Sequence, residues 1–408
     1  MSSQSLFMHS RRFFSTSGRN VVIVGGRRTA IGSFMGQLSN MTGPQLGSMA
    51  TKGALASCHV DPKEIEEVYM GNVISAGSGQ APARQVALGS DMRYDTVCTT
   101  VNKVCASGMK AVMLGSSAIR LGDRDIVVAG GMESMSKLPH YIYLRKPTSY
   151  GHAQVVDSIQ FDGLTDVYNN ILMGSCTEKV CSEMGITREA QDEYAIKSYH
   201  RARAAQEKGI LDWEIVDIVE EIKGKQVRIN KDEECQKFLP EKFPQLKPAF
   251  AKNGTITAAN SSKLNDGACS FILMSEQAAK DRGLKPLARI LGYDDAEVAP
   301  IDFGIAPTKA CKSLLNKLKM NIKDVQYHEY NEAFAAVVLA NMKMLDIDPE
   351  TVNVHGGAVA LGHPIGMSGA RIILSLINVL KQKNASVGMA SICNGGGGAS
   401  AIMIERLN

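Results

Sequence analysis

Short apolar runs alternate with longer amphipathic stretches from residue 21 onward. Residues 21–24 form an apolar run that ends at a pair of glycines, which is typical of a buried strand followed by a turn. A helical pattern follows near residues 45–58, and residues 68–73 form a second apolar run. Strands that alternate with helices in this way predict an α/β architecture with largely parallel sheets.

A weak internal repeat organises the chain. Residues 105–110 precede a helical run and then an apolar stretch, residues 125–131, that ends in two glycines. Residues 366–371 precede a second helical run and then residues 388–394, which lead into four glycines. Residues 287–292 also resemble the first strand and its glycine. Several matches in the same order predict a duplicated α/β unit.

The segment between the two repeats differs from them in residue pattern and composition. Residues 191–208 have the pattern of an amphipathic helix, and residues 220–252 are rich in Lys, Glu and Pro. An insertion of this kind is a natural substrate-binding cover. We therefore expect an N-terminal half made of residues 21–138 and about 265–285, an inserted loop domain at 139–264, and a C-terminal half at 286–408.

Composition and charge exclude several classes of protein. The 408 residues allow two or three domains, and 44% hydrophobic with 21% charged residues is ordinary for a folded chain. The sequence has no window of ~18 uninterrupted apolar residues, which argues against a membrane-spanning helix. The formal charge is +4, and three arginines of the first twenty residues account for most of it. We therefore expect neither nucleic acid nor a membrane as a partner.

The nine cysteines are too few and too scattered for a disulfide scaffold. No C-x-x-C pair occurs, which argues against a structural zinc site or a thioredoxin-type motif. A reduced compartment fits best, with most cysteines acting as small core residues.

The first twenty residues form a separate segment. They are rich in Ser, carry Arg11, Arg12 and Arg19, and lack acidic residues, which is typical of a mitochondrial transit peptide. An Arg-x-Phe-x-x-Ser/Thr pattern begins at both Arg11 and Arg12. The alternative is a disordered tail that carries no targeting signal. The chain does not end in a peroxisomal signal, so we expect the mitochondrial matrix.

Cys105 is a candidate nucleophile. It lies at the start of a predicted helix, where unpaired N–H groups and the helix dipole favour the reactive thiolate. Considered alone, a cysteine in a segment of small residues is more often a buried structural residue.

His363 is a candidate hydrogen-bond donor. Pro364 follows it and fits the first turn of a helix, which would present the imidazole at a strand-to-helix corner. There it could bond a carbonyl oxygen or a thiol across a cleft. A packed or capping histidine is the competing interpretation.

Two further segments could contribute polar groups. Cys393 and Asn394 precede four glycines, whose bare N–H groups an oxyanion could approach, although a flexible turn explains them equally well. Asn331 follows an apolar–polar alternation and precedes a helical run. It could hold a water molecule or cap the helix.

Taken together and in this order, these motifs resemble the thiolase family over nearly all of residues 20–408. The resemblance rests on residues 79–85, 102–108, 129–136, 331–334, 356–369 and 393–398. Residues 162–168 and 300–303 are most similar to mitochondrial members of the family. It implies the thiolase fold, in which duplicated α/β halves stack as α-β-α-β-α layers with an inserted loop domain.

The resemblance also implies an activity and a role for each residue. The activity is acetyl-CoA C-acetyl transfer, in which two acetyl-CoA molecules form acetoacetyl-CoA and CoA reversibly through an acetyl-cysteine. Cys105 matches the nucleophile and Cys393 the base, while His363 and a water on Asn331 match the groups that stabilise the enolate. The oxyanion would be held by the backbone N–H groups of Cys105 and Gly395.

Ligand contacts follow from the same resemblance, as does a homotetramer. The residues implied in binding CoA are Tyr199, Lys237, Phe238, Leu239, Lys242 and Ser262. Those implied in binding potassium, partly through backbone carbonyls, are Tyr199, Ala258, Ala259, Ser261 and Val359. Lys263 departs from the family, because a small residue is usual at that position.

Three other functions stay open at this point. One is a thiolase for longer 3-ketoacyl chains, and another is a thiolase-like protein that binds acyl-CoA without turnover. The third, a decarboxylating ketoacyl synthase, is disfavoured by the Cys393-Asn394-Gly395 signature.

Overall fold

The computed structural model describes residues 18–145, 149–222 and 224–407. Most of the predicted transit peptide, residues 1–17, lies outside this part of the chain. The strands are β1 Val21–Arg28, β2 Gly32–Ser33, β3 Glu67–Gly71, β4 Val97–Val101, β5 Ile126–Ser134, β6 His140–Ile142, β7 Val155–Asp157, β8 Thr165–Asp166, β9 Ile171–Leu172, β10 Ile218–Ile222, β11 Lys225–Ile229, β12 Asn265–Ser275, β13 Ala288–Glu297, β14 Tyr327–Tyr330, β15 Val387–Asn394 and β16 Gly398–Arg406. The α-helices are α1 Gly43–Cys58, α2 Pro82–Gly89, α3 Ser107–Leu121, α4 Met173–Met184, α5 Arg188–Glu207, α6 Glu276–Asp281, α7 Ala306–Leu318, α8 Ala335–Leu345, α9 Ala358–Leu361 and α10 Ser368–Gln382.

The first predicted elements are confirmed with small shifts at their ends. The predicted helix at 45–58 is α1, which begins two residues earlier because Thr42 and Gln45 form a capping box. The apolar runs at 21–24 and 68–73 are β1 and β3. The amphipathic stretch at 191–208 belongs to α5, whose N-terminus is capped by the Thr187 side chain.

The predicted duplication is visible in the order of the strands. The N-terminal half has the order β1-β12-β5-β3, and the C-terminal half repeats it as β13-β16-β15-β14. A short antiparallel pairing of β1 with β13 joins the two sheets. The residues that precede α3 and α10, where the sequence repeat begins, thus occupy equivalent positions.

The expectation of largely parallel sheets is wrong. Only β3 with β4, β3 with β5, and β14 with β15 are parallel, among the strand pairs of the described main sheet. β12 and β16 each run antiparallel to both of their neighbours. In the C-terminal half the reason is the short glycine turn between β15 and β16, since a parallel crossover needs a dozen residues or more.

The layers alternate as α-β-α-β-α. Helix α1 packs on β1, β5 and β12, and α7 packs on β13, β15 and β16. Helices α3 and α10 contact each other between the two sheets. Gly108 and Gly369 allow this approach, because an added Cβ would lie 2.9 Å from the backbone nitrogen of Ala370 or 2.5 Å from that of Met109.

The region predicted as an insertion, residues 139–264, carries β6 to β11 with α4 and α5. A buried ion-pair network fastens it to the N-terminal half, because Arg28 of β1 lies 2.8 Å from both Glu214 and Asp232. Helix α5 also packs on α8 and α9 of the C-terminal half. The insertion therefore contacts both halves, while its exact boundaries stay predictions.

Candidate active site

Cys105 lies in a sharp turn between β4 and α3. Val104 adopts a left-handed conformation with φ +46°, which is unusual for a β-branched residue and strained. Asn102 Oδ1 accepts the Val104 N–H at 3.0 Å, and Ser107 Oγ accepts the Lys103 N–H at 2.9 Å. These bonds fix the turn and present Cys105 just before the first turn of α3.

The thiol of Cys105 is neutral in the free structure, contrary to the expectation from its place at a helix start. Burial raises the pKa of Cys105 to about 11, while the Gly395 N–H, which donates to the sulfur, lowers it. The nearby Glu133 carboxylate raises it further. Desolvation therefore outweighs the helix N-terminus, and the proton must leave as the sulfur attacks.

His363 lies between α9 and α10, so the predicted strand-to-helix corner is wrong. Pro364 precedes α10 by a turn instead of occupying its first turn. The His363 N–H donates to Asn265 Oδ1 at 2.9 Å. The two ring nitrogens have separate partners: Nδ1 lies 2.6 Å from Ser368 Oγ, and Nε2 lies 3.4 Å from Asn331 Nδ2.

The imidazole of His363 is neutral. Burial lowers the pKa of His363 to about 3, and the positive charge of Arg371 lowers it as well. A neutral imidazole carries its proton on one nitrogen only. The Ser368 hydroxyl donates to the Pro364 carbonyl at 3.0 Å, so its oxygen accepts the proton of Nδ1 and leaves Nε2 free to accept one. Ser368 therefore controls the tautomer.

Asn331 lies between β14 and α8, as the pattern of its neighbours predicts. Its N–H donates to the Ser391 carbonyl at 3.0 Å. Its side-chain Oδ1 is buried and has no hydrogen-bond partner among the described residues. A buried oxygen without a partner is costly, so this atom marks a place for a water molecule or a substrate group.

Cys393 is the last residue but one of β15, and it is buried. Burial raises the pKa of its thiol far above the ordinary value, and negative charge on Cys105 raises it further. The two thiols thus sense each other's charge. Gly395, which donates to the Cys105 sulfur, is only two residues from Cys393. The geometry agrees, since an added Cβ on Gly395 would lie 3.6 Å from Cγ1 of Val104. The glycine loop that follows Cys393 therefore adjoins the turn that carries Cys105.

A cavity of about 610 Å³ opens beside these groups, and His363 lines it. Its walls include Ile159 and Ile365, which belong to the apolar cluster around Cys105. Met173 and Phe334 also line it and pack in the cluster that contains Cys393. Neither cysteine is among the described residues that line the cavity, but the cavity wall shares an apolar cluster with each of them.

The residues implied in CoA binding divide into two groups. Lys237 and Ser262 line the cavity. Tyr199 and Phe238 are buried outside its lining, where their rings stack 4.8 Å apart. Leu239 is 46% exposed and Lys242 is also exposed, and neither lines the cavity.

The residues implied in potassium binding surround a lysine. The carbonyl oxygens of Ser261 and Val359 lie 2.7 and 3.4 Å from Lys263 Nζ, and this nitrogen lies 5.7 Å from the centre of the Tyr199 ring. The other two members of the set, Ala258 and Ala259, belong to the loop that leads to Ser261.

Glu133 is a positioning residue that sequence reasoning missed. Its buried carboxylate accepts N–H bonds from the Asn72 amide at 2.7 Å and from the backbones of Val73, Ile74 and Gly366 at 2.9, 3.2 and 3.0 Å. Burial raises the pKa of Glu133 to about 8, although the hydrogen bonds from these donors lower it. It therefore fastens the loop of His363 to the N-terminal half.

Ser368 and Asn265 were missed as well. Ser368 could have been found from the repeat, because it matches Ser107 when residues 366–371 are aligned with 105–110. Both serines bond the loop that precedes their helix. Asn265 carries no comparable signal in the sequence, since its bond to His363 joins distant parts of the chain.

Comparison with known proteins agrees with this geometry. Models of the thiolase N-terminal and C-terminal domains match residues 21–277 and 284–406. Mitochondrial acetyl-CoA acetyltransferases of Rattus norvegicus and Homo sapiens are 52% and 51% identical, over 95% of this chain and 91% of theirs. A probable acetyl-CoA acetyltransferase of Dictyostelium discoideum is 49% identical over 99% of both chains.

Solved structures show the same relationship. The Acat5 thiolase of Ascaris suum in complex with coenzyme A matches with a TM-score of 0.91 and 44% identity, over 95% of this chain and 100% of the other. A Bacillus anthracis acetyl-CoA acetyltransferase matches with a TM-score of 0.93 and 41% identity, over 96% and 100%. The predicted fold is confirmed, and the chain belongs to the thiolase family.

Proposed function

We propose that this thiolase is an acetyl-CoA C-acetyltransferase, which condenses two acetyl-CoA molecules to acetoacetyl-CoA and CoA and also runs the reverse thiolysis. Relatives that carry the name acetyl-CoA acetyltransferase cover nearly the whole chain at about half identity. The observation that carries the mechanism is the close approach of Gly395 to the turn of Cys105, since an added Cβ on Gly395 would lie 3.6 Å from Cγ1 of Val104, the neighbour of Cys105 in the chain. It joins the nucleophile of one half to the loop that follows the base of the other.

In the first half-reaction, the Cys105 sulfur attacks the thioester carbonyl of acetyl-CoA. The new C–S bond forms as the bond to CoA breaks, and CoA leaves as a thiol with the proton that Cys105 releases. Because the pKa of Cys105 is about 11, the neutral His363 imidazole assists by accepting this proton and passing it on. The N–H groups of Cys105 and Gly395 hold the transient oxyanion.

In the second half-reaction, the Cys393 thiol first gives its proton to Nε2 of His363, and the resulting thiolate removes a proton from the methyl group of a second acetyl-CoA. In the acetyl-enzyme Cys105 is an uncharged thioester, so it cannot raise the pKa of Cys393 as a Cys105 thiolate would. The enolate attacks the acetyl carbonyl, a C–C bond forms, and Cys105 leaves as a thiolate that recovers a proton from His363, while Cys393 keeps the methyl proton. His363 and a water held by Asn331 stabilise the enolate oxygen, which is worth roughly 3 kcal/mol per donor.

CoA itself is proposed to lie along the inserted region 139–264. Ser262 and Lys237 support this placement because they line the cavity. Tyr199 and Phe238 would pack behind the residues that line the cavity. The exposed Leu239 and Lys242 would contact the part of CoA that lies outside the cavity.

A homotetramer in the mitochondrial matrix completes the proposal. The region of β6 and β7 supports the assembly, since Ile142, Tyr143, Leu144 and Tyr150 are 47 to 97% exposed, and exposed apolar groups of this kind mark contact surfaces.

The basic N-terminal segment supports the mitochondrial location, as does the word mitochondrial in the names of several relatives. Across the described residues, no helix is long and apolar enough to cross a membrane.

Thiolysis rates separate this activity from the alternative, a thiolase for longer chains. We expect kcat/KM for acetoacetyl-CoA to exceed that for 3-ketooctanoyl-CoA by roughly 10-fold or more, a difference that a few methylenes can produce. An equal or higher value for the longer substrate would favour the alternative. A Cys105→Ala variant is the control, because it must lose turnover if the protein is an enzyme and not an acyl-CoA binder.

A further inference from the structure

Lys263 places its ammonium group beside two backbone carbonyl oxygens and an aromatic ring at the wall of the cavity. Nζ donates to the backbone oxygen of Ser261 at 2.7 Å and lies 3.4 Å from that of Val359. The face of the Tyr199 ring lies on another side, 5.7 Å away. Carbonyl oxygens and an aromatic face both attract a monovalent cation, so this pocket is built around positive charge.

Buried negative charge explains why a cation is stable there. Glu234 and Glu332 both favour the charged form of Lys263 and oppose the effect of burial, which lowers the pKa of Lys263 to about 8. Burial also raises the pKa of the Tyr199 phenol and of the Cys235 thiol, so both are uncharged near neutral pH. Lys237 lies 3.6 Å from Glu234, and the charge of Arg371 interacts with Glu332. The Lys263 ammonium therefore shares the two carboxylates with these cations.

The ammonium also connects the parts of the chain that hold the reacting groups. Ser262, next to Lys263, donates its N–H to the Ala333 carbonyl at 3.0 Å. Val359 belongs to α9, which leads directly into His363, and its N–H donates to Glu332 at 3.0 Å. Glu332 adjoins Asn331 in the chain. A cation at this position therefore fastens the loops of His363 and Asn331 to the cavity wall.

The residues implied in potassium binding do not fit a potassium ion, because the ammonium group of Lys263 already lies against the carbonyl oxygens of Ser261 and Val359. We propose that Lys263 supplies a covalently attached cation in place of a free monovalent ion. The protein then needs no potassium to order the cavity wall, and its activity and stability are indifferent to the choice of monovalent salt.

The experiment compares the wild-type protein with Lys263→Ala in equal concentrations of potassium chloride and choline chloride. We expect the wild type to show the same Tm and the same acetoacetyl-CoA thiolysis rate in both salts. Lys263→Ala removes the ammonium and leaves the carbonyl oxygens free. It should lose roughly 10-fold in rate in choline chloride, and potassium should restore most of the rate and raise Tm by about 2 °C or more.

Two control variants separate charge from packing. Lys263→Met fills the same space without a charge, so potassium should restore neither its rate nor its Tm. Lys343 also donates from Nζ to a carbonyl, that of Met184 at 2.9 Å, but at an exposed position. Lys343→Ala should behave as the wild type in both salts.

A wild-type protein that potassium activates or stabilises relative to choline would overturn the proposal. So would a Lys263→Ala variant that keeps the wild-type rate and Tm in choline chloride, or one that loses them without rescue by potassium. Should Lys263→Ala fail to fold, the wild-type and Lys263→Met results still decide. Only the rate rests on the proposed acetyltransferase function, and the Tm series tests the cation site even if that function fails.

Discussion

Ser368 Oγ lies 2.6 Å from Nδ1 of His363 and 3.0 Å from the carbonyl oxygen of Pro364. Its equivalent in the other half, Ser107, holds the turn that presents Cys105. Each half thus uses a serine in the first turn of its central helix to position the loop that carries a reacting group. The duplication has kept the scaffold while the reacting groups have diverged.

Ser368→Ala should lower kcat by roughly 10-fold to 100-fold with little change in the KM for CoA. The hydroxyl selects the tautomer of His363 and contacts no substrate, so its loss affects positioning and not binding. Steady-state kinetics measure this split. Ser368→Thr keeps a hydroxyl and should recover most of kcat, and equal losses in both variants would contradict the tautomer role.

Asn331→Ala should slow carbon–carbon bond formation by roughly 10²-fold to 10³-fold and leave acetylation of Cys105 intact. The reason is that the water on Asn331 serves the enolate oxygen, which exists only in the second half-reaction. Exchange of the methyl protons of acetyl-CoA with deuterated water measures enolate formation, and rapid quenching measures acetylation. If both processes slowed equally, the assignment of Asn331 to the enolate would be wrong.

Glu133→Gln should destabilise the protein by about 3 kcal/mol and lower Tm. Both carboxylate oxygens accept N–H bonds, and an amide must turn its own N–H₂ toward some of these buried donors. Urea unfolding measures the change. Glu183→Gln is the matched control, since Glu183 forms an exposed i,i+4 ion pair with Lys179, whose loss should cost less than about 1 kcal/mol.

Acid should destabilise the protein through its buried histidines. Burial lowers the pKa of His328 to about 4 and that of His363 to about 3. The unfolded chain takes up these protons near pH 6.5, so native stability falls as the pH drops below about 6.5 and levels off only once the pH is below the folded-state values.

His328→Gln tests this acid sensitivity outside the reacting groups. The free energy of unfolding of the variant should fall less than that of the wild type between pH 7 and pH 5, by about 2 kcal/mol. His152→Gln, at an exposed position, is the control and should follow the wild-type curve. An identical pH dependence of all three proteins would show that His328 is not the cause.

Local patterns were enough to predict the elements around the site. The segments before α3 and α10 carry the same small residues, and two of these, Gly108 and Gly369, sit where the central helices touch. The glycine run after Cys393 likewise predicts a turn wherever it occurs. The thiolase fold could therefore be recognised from short motifs, although the need for Gly108 and Gly369 arises from a contact between distant helices.

Features that depend on burial or on distant contacts could not be predicted. The helix start at Cys105 favours a thiolate, but the desolvation that reverses this effect depends on the packed cavity walls. Lys263 departs visibly from its family, yet the sequence does not show that its side chain reaches the carbonyl of Val359, far along the chain. The same holds for Glu133, whose bonds join both halves.

The most direct test of the mechanism is to trap the acetyl-enzyme. A Cys393→Ser variant lacks the base of the second half-reaction and should stop after the first. Mixed with acetyl-CoA, quenched in acid and digested, it should carry one acetyl group per chain on the peptide that contains Cys105, as mass spectrometry would show. A protein that releases CoA without an acetyl group on Cys105, or that carries the group on another residue, would contradict the account.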